Sequence, residues 1–207
     1  MSERVPKLLE WARELQAIAQ TGVAYGEPSI YDRERYERVR GIAAEILASD
    51  GDVDAIDGLL ALETGHATPK LDVRGAVFRD DELLLVREAA GWSLPGGWVD
   101  IGESPAGAAE REILEESGYA TRAVRLLALQ DRDRHGYPPH QWHIWKVVFL
   151  CALVSGEQRE LGSETSDARF FARDQLPEPL RAGASSRALI ERCYEHREHP
   201  EWPTDFD

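Results

Sequence analysis

The sequence predicts an α/β domain built on a mixed β-sheet and preceded by a small all-α domain. Up to about residue 62, apolar residues recur at helical spacing, whereas beyond residue 70 they form short strand-like runs between polar turns. The stretch 63–70, ETGHATPK, separates the two patterns and has the polar, glycine- and proline-containing composition of a linker. We therefore expect a helical domain over residues 1–66 and a second domain over residues 70–207.

Three amphipathic segments make up the predicted helical domain. The first covers residues 5–19, with Pro6 suited to a first helical turn, and the sequence TGVAYGEPSI is expected to end it. The second and third cover about 32–48 and 53–62, each with one apolar stripe.

The charge balance excludes several classes of function. The chain has 24 Lys and Arg against 38 Asp and Glu, a net charge of −14, which disfavours nonspecific binding to nucleic acid or to an anionic membrane surface. No run of about 18 apolar residues is present, and the N-terminal stretch is amphipathic rather than a signal peptide. Cys151 and Cys193 lack metal-like spacing and are expected to be reduced. These observations predict a cytoplasmic protein.

The second half of the chain is predicted to contain five main strands and two helices. The strands cover 71–78, 83–88, 123–131, 142–156 and 167–172, and the first two form a hairpin around the turn RDDE. One helix is terminal, at about 185–196. The other covers 105–117, because Ser104 can cap it, Pro105 suits its first turn and Gly118 suits its end.

The helix over 105–117 collects glutamates on one face. At 100° per residue, Glu112, Glu115 and Glu116 fall within an arc of about 100°. Carboxylates this close repel one another, so folding alone gives no reason to collect them. One interpretation is a solvated acidic stripe. The other is a site for a hard divalent cation, Mg²⁺ or Mn²⁺, which prefers oxygen ligands.

The spacing around these glutamates resembles the signature of the Nudix hydrolases. Gly97, Glu103 and the run REILEESGY, residues 111–119, follow that pattern, except that Tyr119 stands where the family usually has an aliphatic residue. The resemblance implies a Nudix α/β/α sandwich with a mixed sheet, and hydrolysis of a nucleoside diphosphate linked to another group.

By the same resemblance, the signature residues have distinct roles. Glu112 and Glu116 are implied to be the principal metal ligands and Glu115 a third ligand, and all three are implied to be catalytic. Gly97, Arg111 and Gly118 are implied to be structural, Arg111 as an internal ion-pair partner. Glu103 is implied either to join the loop to the helix or to reach a metal through water.

A general base outside the helix is also expected. Glu164, in the polar loop before the last strand, is the first candidate, and Asp167 is the reserve. The ordinary alternative for both is an exposed loop acid.

The N-terminal helices point to a subgroup of the family. The chain is similar over most of its length to Nudix hydrolases with an N-terminal helical domain, a subgroup that includes CDP-choline pyrophosphatase. This similarity implies conversion of CDP-choline to CMP and phosphocholine by a homodimer joined through its helices, although packing on the chain's own second domain would need the same apolar stripes. Choline is best held by aromatic faces, so Trp98 and Trp142, together with Arg74, are the candidate substrate-binding residues.

Other functions stay open at this point. Aromatic rings would also stack a nucleobase, so ADP-ribose or another nucleotide sugar is an alternative substrate. A noncatalytic Nudix-like nucleotide sensor is a further alternative, which the presence of Glu112, Glu115 and Glu116 disfavours. Processing of RNA ends is disfavoured by the net charge.

Overall fold

The computed structural model describes residues 6–48, 51–156 and 165–207, and the chain forms two compact units. The first unit comprises the chain up to Lys70 together with Pro139–His143. The second comprises Leu71–Pro138 and Ile144–Asp207. The chain therefore returns to the first unit after leaving it.

In the part of the first unit that the structure describes there are three helices, α1 (Lys7–Tyr25), α2 (Ile30–Ala48) and α3 (Val53–Leu62). The prediction that α1 ends near residue 19 is wrong, since the helix continues through Gly22. A Cβ on Gly22 would lie 2.3 Å from the ring of Tyr36, so glycine here lets α2 approach α1 closely instead of ending the helix.

The core of this unit includes a tryptophan from far along the sequence. Trp142 packs against a cluster of apolar side chains from the helices: Ala43, Ala44, Leu60, Leu15, Leu47, Val53 and Ile56. Its backbone N–H donates to Nδ1 of His140, and the Lys70 ammonium lies 4.9 Å from its ring centroid. The strand expected to begin at Trp142 therefore begins two residues later.

Over its described residues, the second unit is a seven-stranded sheet with one α-helix on each face. Its elements are β1 (Lys70–Arg79), β2 (Glu82–Glu88), β3 (Gly91–Ser93), α4 (Pro105–Ser117), β4 (Tyr119–Asp131), β5 (Ile144–Gly156), β6 (Asp167–Phe171), α5 (Arg187–Glu198) and β7 (Asp205–Phe206). The strand order is β3-β2-β1-β5-β4-β7, and β6 also pairs with β2. The sheet is mixed because β7 runs parallel to β4 whereas β5 runs antiparallel to it.

Alternating side chains divide the apolar core between the two helices. Leu83 and Leu85 of β2 pack in a cluster with α5, whereas Leu84 and Val86 pack with Ile113 of α4. This arrangement confirms the predicted α/β/α sandwich. Cys151 and Cys193 are buried and free, as expected. Across the described ranges, no helix is long and apolar enough to cross a bilayer.

Candidate active site

A tight turn at residues 94–97 brings backbone against α4. It is fastened to β1, because the N–H of Val73 donates to the Gly97 carbonyl at 2.8 Å and that of Gly75 to the Pro95 carbonyl at 2.9 Å. Gly96 has a φ of 140°, and a Cβ there would lie 2.1 Å from the Val73 carbonyl oxygen. Glycine is required at this position for both reasons.

Capping residues at both ends set the bounds of α4, and its carboxylates face that turn. Ser104 Oγ accepts from the N–H of Gly107 at 3.0 Å, Pro105 occupies the first turn, and Gly118 ends the helix with a φ of 80°. Ile113 and the buried alanines of α4 face the sheet. The helix bounds agree with those predicted.

Two glutamates of α4 meet the turn directly. The Gly96 N–H donates to Glu116 Oε2 at 2.8 Å. A Cβ on Gly97 would lie 2.8 Å from Glu112 Oε1, so glycine at 97 leaves room for this carboxylate. The Glu112 side chain is 16 % exposed and that of Glu115 is 59 % exposed, which places Glu115 on the solvent side of the group.

Arg111 holds these acids to the preceding loop. Its Nε and Nη2 donate to the two oxygens of Glu103 at 2.8 and 2.9 Å, and its Nη1 donates to Glu112 at 3.0 Å and to Glu115 at 3.1 Å. Glu103 also accepts from the backbone N–H of Asp100. The positive charge that offsets the crowded carboxylates is therefore this guanidinium.

Burial sets the protonation of the inner carboxylates. The pKa of Glu116 is raised to about 7, mainly by desolvation and also by the charges of Glu112 and Glu88, while the Gly96 hydrogen bond and Arg74 act in the opposite direction. The pKa of Glu112 is also raised, mainly by burial. That of Glu103 is lowered by its hydrogen bond from Arg111. Dehydrated, mutually repelling carboxylates gain most from a cation among them.

The donor set fits a hard divalent cation. Glu112, Glu115 and Glu116 supply carboxylate oxygens from neighbouring turns of one rigid helix, and Glu115 leaves the group open to solvent. Mg²⁺ and Mn²⁺ bind such oxygen ligands and keep positions for water or a phosphate. In these respects the residues match a cation site that accepts a ligand from solvent.

The other candidate residues have different surroundings. Trp98 follows the turn and is 45 % exposed, and Arg111 Nη2 donates to its carbonyl. Arg74 is only 4 % exposed and is ion-paired with Asp72. Trp142 packs in the helical unit, as described above. Glu164 lies outside the described residues, and Asp167, the reserve base, pairs with Arg169 at 2.7 Å.

Sequence reasoning missed three charged residues near these carboxylates. Glu88, at the end of β2, is ion-paired with Arg181, and its charge acts on Glu116. Asp72 and Lys146 form a buried ion pair on β1 and β5. Lys146 was detectable in principle, because it is a lone charge inside the apolar run WKVVFLC.

Comparison with known families agrees with this fold. Residues 69–193 match the NUDIX domain, and residues 6–57 match the UDP-X-like, N-terminal oligomerisation domain. The chain therefore belongs to the Nudix family and is an enzyme of the pyrophosphohydrolase class. The resemblance seen in the signature is confirmed at the level of the family.

Three relatives cover much or nearly all of the chain. A protein of Bacillus subtilis (strain 168) named "Putative ADP-ribose pyrophosphatase YjhB" is 44 % identical over 97 % of both chains. The crystal structure of an ADP-ribose pyrophosphatase from Streptococcus suis 89-1591 is 40 % identical with a TM-score of 0.60, and the match covers 68 % of this chain and all of that one. The crystal structure of a UDP-X diphosphatase is 31 % identical with a TM-score of 0.62, and covers 99 % of this chain and all of that one.

Proposed function

We propose that the protein hydrolyses the phosphoanhydride bond of a nucleoside diphosphate linked to another group, with Mg²⁺ or Mn²⁺ held by Glu112, Glu116 and Glu115. The observation that carries the proposal is the meeting of the two inner glutamates with the Gly96–Gly97 turn. When bound, the ion would neutralise the diphosphate and lower the pKa of a coordinated water. Arg111 and the Gly96 amide would hold the carboxylates in place for it.

ADP-ribose is the first substrate in this proposal. Two of the three relatives above are named as ADP-ribose pyrophosphatases, one of them matched over 97 % of both chains. A choline cage needs several exposed rings, but Trp92 and Tyr137 are buried and Trp142 packs in the helical unit. CDP-choline therefore stays a prediction of second rank, which rests on the similarity of the sequence to the subgroup with an N-terminal helical domain and not on a set of exposed rings.

Product analysis tests both substrates. Purified protein is incubated with ADP-ribose, CDP-choline, CDP-ethanolamine, a diadenosine polyphosphate or dGTP, each with Mg²⁺, Mn²⁺ or EDTA. We expect AMP and ribose 5-phosphate from ADP-ribose with the highest kcat/KM. A preference for CDP-choline, yielding CMP, would keep the site and change the substrate. Metal-independent binding of nucleotides without turnover would replace the proposal by the sensor alternative.

Glu164 is the general base in this proposal. It is supported by its place in the sequence, in the polar loop shortly before β6. Replacing Glu164 by Gln is expected to lower kcat about 100-fold with little change in KM, the usual size for loss of a general base. Asp167→Asn is the matched control, and a larger loss there than in Glu164→Gln would transfer the role to Asp167.

Trp98 is the proposed stacking surface for the nucleobase. Its half-exposed ring directly follows the Gly96–Gly97 turn, and base–aromatic stacking contributes about 1–3 kcal/mol per base. Trp98→Ala is therefore expected to raise KM about tenfold or more, with a smaller change in kcat. Trp145→Ala, which also removes a half-exposed tryptophan from the same domain, is the control. Equal KM values for wild type and Trp98→Ala would remove Trp98 from the substrate site.

The protein is further proposed to be a homodimer joined through α1. The segment that contains α1 matches a family model described as an oligomerisation domain. Trp11, Ile18 and Tyr25 are about half exposed or more and follow one another at intervals of seven residues, which is the repeat of a helix–helix seam. A groove of about 630 Å³ lies beside Ile18 and Tyr25 and would receive side chains of a second copy.

A charge in this seam is expected to separate the subunits. Ile18→Glu should convert a dimer to a monomer in light scattering coupled to gel filtration, because a carboxylate in an apolar seam is unpaired when buried. Val154→Glu carries the same charge on an exposed apolar position of β5 and should leave the dimer intact. A monomeric wild type would exclude the homodimer, and a dimeric Ile18→Glu would move the interface away from α1.

A further inference from the structure

Strand β1 carries two charges on a buried face. Val73 packs with the alanines of α4, whereas Ala76 packs with α5, so by alternation Asp72 and Arg74 lie on the α5 side of the sheet. Both side chains are 10 % exposed or less. Charges this deep are costly unless each is fully paired.

A third buried charge completes the pairing. Lys146 of β5 is 1 % exposed, and its Nζ donates to Asp72 Oδ1 at 2.9 Å and to the Ala184 carbonyl at 2.8 Å. Asp72 also accepts from Arg74 Nε at 3.0 Å and from Arg74 Nη2 at 2.8 Å. The Asp72 carboxylate therefore pairs with two cations. Its two hydrogen bonds from Arg74 fix the orientation of the guanidinium.

The free edge of Arg74 reaches the turn that binds Glu116. Its Nη1 donates to the Leu94 carbonyl at 3.2 Å, and its Cα lies 2.9 Å from the position of a Cβ on Gly96. The next link is the Gly96 N–H, which donates to Glu116 Oε2. The contacts therefore form an unbroken series from Lys146 through Asp72, Arg74 and the turn to the carboxylate on α4.

We propose that Lys146 and Asp72 are positioning residues that fix Arg74 against the Leu94–Gly97 turn and so set the place of the Glu116 carboxylate. This inference rests on the proposed metal site. The Leu94 contact of Arg74 holds the backbone two residues before the amide that binds Glu116, so losing that contact is expected to release the amide from its position.

The test measures Mn²⁺ affinity without substrate, by electron paramagnetic resonance, beside kcat, KM and Tm. Asp72→Asn is expected to weaken Mn²⁺ binding and lower kcat by about 10- to 100-fold, the usual effect of losing a residue that supports metal ligands. Lys146→Met should lower kcat with KM nearly unchanged, and Lys146→Arg should recover part of the loss because it keeps the charge.

Asp205→Asn is the matched control. Asp205 also holds two nitrogen-bearing partners, Arg192 and His196, in the same domain, but its partners tie β7 to α5. Its loss should lower Tm and leave Mn²⁺ affinity unchanged. If Asp72→Asn fails to fold, Arg74→Lys is used in its place. A lysine keeps the charge but loses the paired hydrogen bonds to Asp72 and the contact with the Leu94 carbonyl.

The outcomes separate this inference from the metal site itself. Wild-type protein that binds Mn²⁺, together with Asp72→Asn or Arg74→Lys variants that bind it equally well, would overturn the positioning role alone. Wild-type protein whose Mn²⁺ binding is absent, or is unaffected by Glu116→Gln, would overturn the metal site and the positioning role with it.

Discussion

Replacing Glu116 by glutamine is expected to lower kcat by about three orders of magnitude while the fold is kept. The amide oxygen of glutamine can still accept the Gly96 hydrogen bond, and only the negative charge is lost. A divalent cation bound between the turn and α4 would need this negative charge on its ligand. Turnover of ADP-ribose in Mg²⁺ and in Mn²⁺ measures the effect, and circular dichroism checks the fold.

The same substitution is expected to stabilise the metal-free protein at pH 8. The pKa of Glu116 is raised to about 7 from the usual 4.5, so the folded state holds this proton more tightly than the unfolded chain. The protonated Glu116 carboxyl therefore contributes its full stabilisation below about pH 4.5. This stabilisation is lost as the pH rises through about 7, which lowers the free energy of unfolding by roughly 1–3 kcal/mol. Glutamine stays neutral and avoids this cost.

Thermal unfolding in EDTA at pH 5 and pH 8 measures the difference. Glu116→Gln should unfold several degrees above wild type at pH 8, since about 1 kcal/mol corresponds to 2–4 °C in a chain of this size, and the gap should shrink at pH 5. Glu115→Gln, at the exposed position of the same helix face, serves as the control and should shift Tm little at either pH. A kcat of Glu116→Gln close to that of the wild type would rule out Glu116 as a metal ligand.

Gly96→Ala is expected to destabilise the protein by more than 3 kcal/mol and to remove activity in any fraction that still folds. Alanine rarely adopts a φ of 140°, and its Cβ would meet the Val73 carbonyl at 2.1 Å and Arg74 Cα at 2.9 Å. These neighbours are backbone of β1, which the sheet holds in place. The turn would have to move, and with it the amide that binds Glu116.

Gly102→Ala separates backbone strain from this collision. Gly102 also has a positive φ, 92°, but a Cβ there meets no heavy atom within 4 Å. It should cost only the usual penalty of about 1 kcal/mol for a non-glycine residue at positive φ. Urea unfolding of both variants provides the comparison, and equal losses would show that the approach of the turn to β1 is not the cause.

Elements governed by local chemistry were predictable from the sequence. The bounds of α4 follow from Ser104, Pro105 and Gly118, which act within one turn of the helix. The glutamate face follows from the helical period alone. The hairpin of β1 and β2 likewise follows from its short polar turn, with Arg79 paired to Glu82.

Features that depend on distant partners were not predictable. Strands β3 and β7 have three and two residues, and β7 is held by the pairing of Asp205 with Arg192 and by its ladder with β4. Trp142 carries a strand-like pattern, but its helical partners in the first unit decide its position. The charge of Lys146 marks it as unusual in a strand, whereas only the fold shows that Asp72 is its partner.

The return of Pro139–His143 to the first unit bears on how this protein can be divided or recombined. The helices cannot be removed or exchanged as an N-terminal segment alone. Trp142, which lies between β4 and β5 in the sequence, completes their hydrophobic core. A protein expressed from residue 71 onwards would lack the helices that pack against Trp142, and the indole of this residue would be exposed to solvent. A chimera that exchanges the helices between relatives would therefore need to exchange this five-residue segment with them.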